Sequence, residues 1–222
     1  VLKAVAGFSR SLGVDVGRLV HTVVPRPDVV GQGAAVARVI DLLGRAMPAP
    51  VALIGPPGSG RTATLGLLAA KLRDGAADRL AADVLCVTPW AHLVGPRLGL
   101  LREVITESPA DTVLAIDDLD DLAGVGTTEV DHELLQIVYG ASRRGHPLLI
   151  TMTPTSRSQL RLHHPRLAAH FHVVELEPLT ETAITDLASD LAKNLAKVHR
   201  VRVPKKIIDA AAAPPTSQDR SS

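Results

Sequence analysis

Eight consecutive residues, Gly55-Pro56-Pro57-Gly58-Ser59-Gly60-Arg61-Thr62, carry the spacing G-x-x-x-x-G-basic-Ser/Thr. A loop of this composition lets successive backbone N–H groups converge without Cβ clashes. At the start of a helix it also gains the partial positive charge of the helix terminus, so it can wrap a polyphosphate. Pro57, Gly58, Ser59, Gly60 and Arg61 are the candidate phosphate contacts, and Thr62 would offer its hydroxyl to Mg²⁺. About fifty residues downstream, Val113-Leu114-Ala115-Ile116 runs into Asp117-Asp118. An apolar strand ending in two carboxylates beside a phosphate loop supplies one acid for the metal's water shell and a second to orient an attacking water. Asp117 takes the first role and Asp118 the second, while Asp120 and Asp121 read as a solvated exit from the strand.

The elements that must hold these residues follow from hydrophobic periodicity. Val36, Val39, Ile40 and Leu43 form an i, i+3, i+4, i+7 stripe, which predicts a helix over 34–46 that Met47-Pro48-Ala49-Pro50 ends. Val51-Ala52-Leu53-Ile54 is a wholly apolar run that suits a strand buried on both faces, and a helix is expected from Thr62 to Leu72. Further apolar runs occur at Val84–Val87, Val113–Ile116, Leu148–Ile150 and His172–Leu176. Helical patterns lie between most of them, one carrying Leu134, Leu135, Ile137, Val138 and Ala141. Five strands alternating with crossover helices predict an α/β fold with a mostly parallel, doubly wound sheet. From Glu181 the pattern is purely helical, with Ile184, Leu187, Ala188, Leu191, Leu195 and Val198 on one face and a short helix after Pro204.

Composition excludes several function classes. Lys plus Arg number 24 against 23 Asp plus Glu, a net charge of +1, so no strong global field points to nucleic acid or an anionic membrane. Aromatic residues make up 2% of the chain, which argues against stacking platforms for single-stranded bases. The single cysteine, Cys86, forbids an internal disulfide and fits a reducing compartment. No apolar stretch approaches the ~20 residues of a membrane span, and the chain reads as cytoplasmic. A basic stripe of Lys193, Lys197, His199, Arg200, Arg202, Lys205 and Lys206 reads as a solvated helical face, with an encounter with DNA as the alternative. His163-His164 and His170-x-His172 read as surface histidines, because adjacent helical residues do not face one ligand sphere.

The phosphate loop and the acid-tipped strand resemble those of the AAA+ ATPases, together with Asp28-Val29-Val30-Gly31-Gln32 upstream and the polar end of the strand at Leu149-Ile150. Within them the chain is most similar to the first ATPase module of the Clp unfoldases, through Phe8-Ser9-Arg10-Ser11-Leu12, Gly17-Arg18-Leu19, Ala141-Ser142-Arg143-Arg144-Gly145 and the run to Phe171. The resemblance implies a five-stranded P-loop NTPase sheet over 28–178, preceded by a linker segment (1–27) and followed by a partial helical lid (179–212); the tail 213–222 has too little apolar content to order itself and is expected to be disordered. It implies ATP or ADP with Mg²⁺, and protein partners or a homo-oligomeric ring. Val30 and Gly31 would flank the adenine, Gly55 to Thr62 the phosphates and Asp117 the Mg²⁺. Thr153 would watch the γ-phosphate, a role that a one-step register shift gives to Thr151.

Departures from the family pattern bear on turnover. Its phosphate-loop lysine is Arg61 here, a planar fork in place of a compact ammonium, and its glutamate is Asp118, one methylene shorter. Where the Clp pattern has two arginines before the phenylalanine, this chain has Ala169 and His170; Arg166 lies five residues before Phe171. The pore-loop aromatic corresponds to Leu93, with Trp90 three residues early, and the second sensor arginine is not in this chain. The resemblance therefore implies a Clp-type module that binds Mg·ATP or ADP and hydrolyses weakly or not at all. The alternatives are a pseudo-ATPase subunit whose nucleotide-dependent shape a partner reads, and a DNA-handling AAA+ protein.

Overall fold

The computed structural model describes residues 20–87, 102, 106–121, 136 and 138–212. Several sequence features lie outside those residues: Phe8–Leu12, Gly17–Leu19, Trp90 and Leu93, Leu134, Leu135 and Ile137, and the tail 213–222. The chain divides into two compact units, 1–177 and 178–222.

The first unit is built on a six-stranded sheet: β1 (Val20–Thr22), β2 (Val51–Ile54), β3 (Val84–Val87), β4 (Val113–Ile116), β5 (Leu148–Met152) and β6 (His172–Glu175). Their spatial order is β1-β3-β4-β5-β2-β6. All neighbouring pairs are parallel except β1, which runs antiparallel to β3 with Val20 opposite Val87. The α/β class and the mostly parallel sheet agree with the sequence, and the expected count of five becomes six. The added strand is β1, within the stretch read as an N-terminal linker; the amide of Val23 extends its pairing by donating to the Val84 carbonyl at 2.8 Å. Pro25 and Pro27 then end the strand, since neither can donate to a ladder.

Strands β2, β3, β4 and β5 are buried along their whole length, because both faces of the sheet are covered. Val51, Leu53, Val84, Cys86, Val113, Ala115, Leu149 and Val174 form one face. They pack against helix α1 (Gly33–Leu43) through Val36, Val39, Leu42 and Leu43, and against helix α2 (Arg61–Arg73) through Leu65, Leu68, Ala69 and Leu72. Full burial of each of these leucines contributes about 1.5–3 kcal/mol, so α2 is anchored by its whole length and its first turn is held against the end of β2. Helices α3 (Pro154–His163) and α4 (Pro165–Ala168) follow β5 directly. Thr153 caps α3, its hydroxyl accepting from the Ser156 amide at 3.2 Å, with Pro154 in the first turn.

The second unit contains helices α5 (Glu181–His199) and α6 (Lys205–Ala212), packed on each other. Thr180 caps α5 by accepting from the Ala183 amide at 3.2 Å. Arg200 ends it in the left-handed region at φ 53°. Among the described residues no helix is long and apolar enough to cross a membrane.

Candidate phosphate-binding site

Strand order explains why distant residues meet. The chain leaves β2, passes over to β3, returns through β4 and β5, and then crosses β2 to form β6. The C-terminal ends of β2, β5 and β4 therefore lie side by side at a switch point, the place where open α/β sheets take ligands. Neighbouring strands are about 4.8 Å apart, so the loop after β2 and the acids after β4 face each other across β5.

The loop itself is tightly determined. Gly60 sits at the N-cap of α2 with φ 86°, a conformation that L side chains adopt only under strain. At Gly55 any Cβ would meet the Ser59 hydroxyl at 2.3 Å. The Ser59 amide donates to the Pro56 carbonyl at 3.1 Å and closes the turn. The first intrahelical donor of α2 is Thr64, whose amide reaches the Gly60 carbonyl at 2.8 Å. The amides of Gly60, Arg61, Thr62 and Ala63 consequently have no intrahelical partner, and a glycine N-cap offers no side-chain oxygen to satisfy them. The buried Ser59 hydroxyl also has no hydrogen-bond partner.

Opposite this end of α2, Asp117 is buried. One of its carboxylate oxygens accepts from the Thr62 hydroxyl at 2.7 Å and the other from the Thr151 hydroxyl at 2.6 Å. Thr151, wholly buried on β5, in turn accepts from the Asp118 amide at 2.8 Å. Asp118 has left-handed backbone geometry at φ 58°, which an aspartate tolerates better than most residues. A hydroxyl and a carboxylate at contact distance, both anchored by strand and helix ends, form the oxygen donor set that Mg²⁺ favours. Unsatisfied amides alongside them suit an anion, so the residues present fit a metal-bound polyphosphate.

Arg61 takes a different course. Its Nη1 donates to Asp120 at 2.8 Å and its Nη2 to Asp118 at 3.1 Å. Asp120 was expected to be a solvated strand exit; instead it pairs with Arg61 and accepts the Thr153 amide at 2.6 Å. Burial works to raise the Asp120 pKa. The hydrogen bonds it shares with Asp118, the Thr153 amide, Ser156 and Arg61 outweigh that and hold the carboxyl well below the ordinary carboxylate range. A hydrogen bond with Asp120, followed by partial burial, raises the Asp118 carboxyl from its ordinary value, with Arg61 pulling the other way. The signal for Asp120 was Leu119, which is buried: an apolar anchor between two acids holds them in place.

Of the two threonines considered on β5 and its exit, Thr151 is the one whose hydroxyl joins Asp117. Thr153 contributes its amide to Asp120, while its hydroxyl bonds the Ser156 hydroxyl at 2.7 Å. Val30 and Gly31 are exposed and precede a residue that sequence reasoning missed, Gln32. Gln32 is buried, and its Nε2 donates to the Ser59 carbonyl at 3.3 Å and the Glu177 carbonyl at 3.4 Å. It thereby ties the start of α1 to the phosphate loop and to the chain leaving β6. Ala169 and Arg166 are exposed, and His170 lies against Ser142 and the Tyr139 ring, so it is engaged within the fold. In the basic stripe of the second unit, Lys193 pairs with Asp190.

Residues 51–175, from the first residue of β2 to the last of β6, match the ATPase family associated with various cellular activities (AAA). The ATP-dependent Clp protease ATP-binding subunit ClpA homolog of Porphyra purpurea is 29% identical over 197 residues, which are 83% of this chain and 24% of that protein. Chaperone protein ClpB of Bdellovibrio bacteriovorus is 29% identical over 197 residues, 82% of this chain and 22% of that protein. The chain thus spans roughly a quarter of the length of these curated relatives. Among solved structures, a Saccharomyces cerevisiae Hsp104–ADP complex superposes with a TM-score of 0.70 at 19% identity, over 86% of this chain and 29% of that one. An extended Hsp104–casein complex gives 0.68 at 17%, over 88% and 36%. At these identities the likeness to the solved structures is one of fold. Because the family match takes in the sheet from β2 to β6, the phosphate loop and the acid-tipped strand together, the chain belongs to the AAA family of ATPases and is similar within it to the Clp and Hsp104 proteins.

Proposed function

We propose that this chain is a Clp-type nucleotide-binding module that takes Mg·ATP or ADP, hydrolyses it weakly or not at all, and works within a cytoplasmic protein-remodelling assembly, as a ring of copies or with protein partners. The observation that carries the reading is the 2.7 Å contact between the Thr62 hydroxyl and the buried Asp117 carboxylate at the open end of the phosphate loop. In this reading Thr62 and Asp117 would hold the metal through their side-chain oxygens. The amides from Gly58 to Thr62 bind the phosphates. Val30 and Gly31 flank the adenine, with Gln32 fixing their distance from the loop. Asp118 orients the attacking water, and Thr153, or Thr151 in the neighbouring register, reports on the γ-phosphate. The metal, when bound, neutralises charge on the β- and γ-oxygens.

Slow turnover follows from three features of the chain. Asp118 is one methylene shorter than a glutamate, and a displacement of about 1 Å can lower a rate ~10²-fold. Ala169 and His170 offer no guanidinium to a neighbouring nucleotide, and such a group is worth roughly 10³–10⁵ in rate. The Arg61 guanidinium is engaged with carboxylates. Titration with a fluorescent ATP analogue tests binding: a saturable, Mg²⁺-dependent signal at roughly tens of micromolar is expected, within the usual span of enzyme KM values, and its absence refutes the reading.

The 3.1 Å contact between Arg61 and Asp118 favours a second reading, a pseudo-ATPase whose bound nucleotide sets a shape that a partner protein reads. It ties the phosphate-side cation to the water-orienting acid, leaving neither free for chemistry. Phosphate release decides between the two. Turnover of the native chain near 1 s⁻¹, a common floor for enzymes, excludes the pseudo-ATPase; a rise only in Arg61→Lys, Asp118→Glu protein supports it.

A further inference from the structure

We propose that Asp120 is a positioning residue that latches Arg61 away from the phosphate loop, so that nucleotide binding must first displace a carboxylate of the protein itself. The inference rests on the nucleotide-binding reading above and assigns its regulation. Three observations carry it. Arg61 stands at the first position of α2, where its charge would serve the β- and γ-phosphates, yet its side chain is only 13% exposed because both arms of the guanidinium already have anionic partners. The two partners are unequal. Asp118 is 63% exposed and 3.1 Å away, whereas Asp120 is 25% exposed and 2.8 Å away. Asp120 is also fixed from behind, since its other oxygen accepts the Thr153 amide at 2.6 Å and the buried Leu119 pins the turn that presents it. A carboxylate held at both oxygens is a preorganised acceptor, and it can occupy a guanidinium more effectively than a solvated one.

A phosphate arriving in the loop and Asp120 therefore compete for the same donor. Asp120→Asn removes the charge but keeps an oxygen for the Thr153 amide, so the latch weakens while the turn is retained. Calorimetric titration of the full chain with MgATP, MgADP and AMP reads the result, with Asp78→Asn, an exposed acid on the far side of α2's C-terminus, as the control for net charge. The expected outcome is that Asp120→Asn tightens MgATP and MgADP about tenfold, equivalent to ~1.4 kcal/mol, while AMP and the Asp78→Asn control change little. In an Arg61→Ala background the same substitution should give no gain. If Asp120→Asn does not fold, Asp120→Ser removes the charge with a smaller side chain and is read in the same way.

Unchanged MgATP affinity in Asp120→Asn, with the native chain binding normally, overturns the latch and leaves the nucleotide reading standing. A gain that persists in Arg61→Ala, or that Asp78→Asn reproduces, overturns it as well. If neither native chain nor variants bind MgATP, the nucleotide reading fails and takes the latch with it.

Discussion

Replacing Thr151 by valine isolates one hydroxyl at the centre of the site. Valine keeps the shape and volume of the buried side chain on β5, so its place beside Leu53 of β2 is retained. The loss is confined to two hydrogen bonds: the donation to Asp117 at 2.6 Å and the acceptance from the Asp118 amide at 2.8 Å. A bond to a charged group contributes about 1.5–3 kcal/mol and one between neutral groups about 0.5–1.5, while the hydroxyl that valine replaces had itself been costly to bury. The net expectation is a destabilisation of roughly 2–3 kcal/mol. For a chain of this length each kcal/mol lowers Tm by about 2–4 °C, so Tm should fall by roughly 4–12 °C. Urea unfolding followed by circular dichroism measures the free energy directly. Thr151→Ser, which keeps the hydroxyl, should recover more than half of it, and Thr153→Val should cost only the ~1 kcal/mol of a helix cap. A Thr151→Val protein within about 0.5 kcal/mol of the native chain, the usual range for surface substitutions, would mean that Asp117 is not held from β5, and the account of the site's rigidity would be wrong.

Other substitutions probe the same end of the sheet. Asp117→Asn keeps the hydrogen bond from Thr62 in one orientation but removes the charge for the metal; the Mg²⁺-dependent part of nucleotide affinity should fall tenfold or more, on the order of 1.4 kcal/mol, with metal-independent binding little changed by the same titration. Gln32→Ala severs the tie to the Ser59 and Glu177 carbonyls and should weaken nucleotide binding several-fold while costing about 1–2 kcal/mol in urea unfolding; equal affinity in both proteins would remove Gln32 from the loop's support. Burial, and then the nearby Arg144 charge, lower the His146 pKa below its ordinary 6.5. The folded chain therefore takes up that proton less readily than the unfolded chain, so the stability His146 contributes is present above pH 6.5 and is lost as pH falls through the folded value. The urea midpoint should drop from pH 6.5 downward, and His146→Gln should flatten that step.

The sheet was legible because four of its strands are buried on both faces: Val51–Ile54, Val84–Val87, Val113–Ile116 and Leu148–Ile150 are apolar runs with no alternation, bounded by proline, glycine or acids. β1 was not legible. It is three residues long, its His21 is exposed, and it is a strand only because β3 offers it an edge. At the site, the phosphate loop and the acid pair announce themselves by spacing alone, since both are local features of a strand end. Gln32 and Asp120 do not, because their partners lie 27 and 59 residues away and a polar residue beside a turn looks solvated until the tertiary fold closes over it. Thr151 and Thr153 could not be ranked from sequence for a related reason: two residues apart, they would share one face of an extended strand, and only the point at which β5 ends, after Met152, leaves Thr151 as the hydroxyl beside Asp117.

The two unusual residues at the site make better sense together than apart. Relative to a lysine, Arg61 has a longer reach and two outward donors in a fixed plane; relative to a glutamate, Asp118 gives up one methylene of reach. The guanidinium spans the gap that the shorter acid leaves, meeting Asp118 with one nitrogen and Asp120 with the other. A single ammonium cannot present two donors in that fixed planar geometry, so a lysine at position 61 would carry the same charge without bridging Asp118 and Asp120 in the same way. Arg61 and Asp118 share one ion network with Asp120, so substitutions at the two are expected to act non-additively. Arg61→Lys and Asp118→Glu have to be introduced in one chain before their effect says anything about hydrolysis.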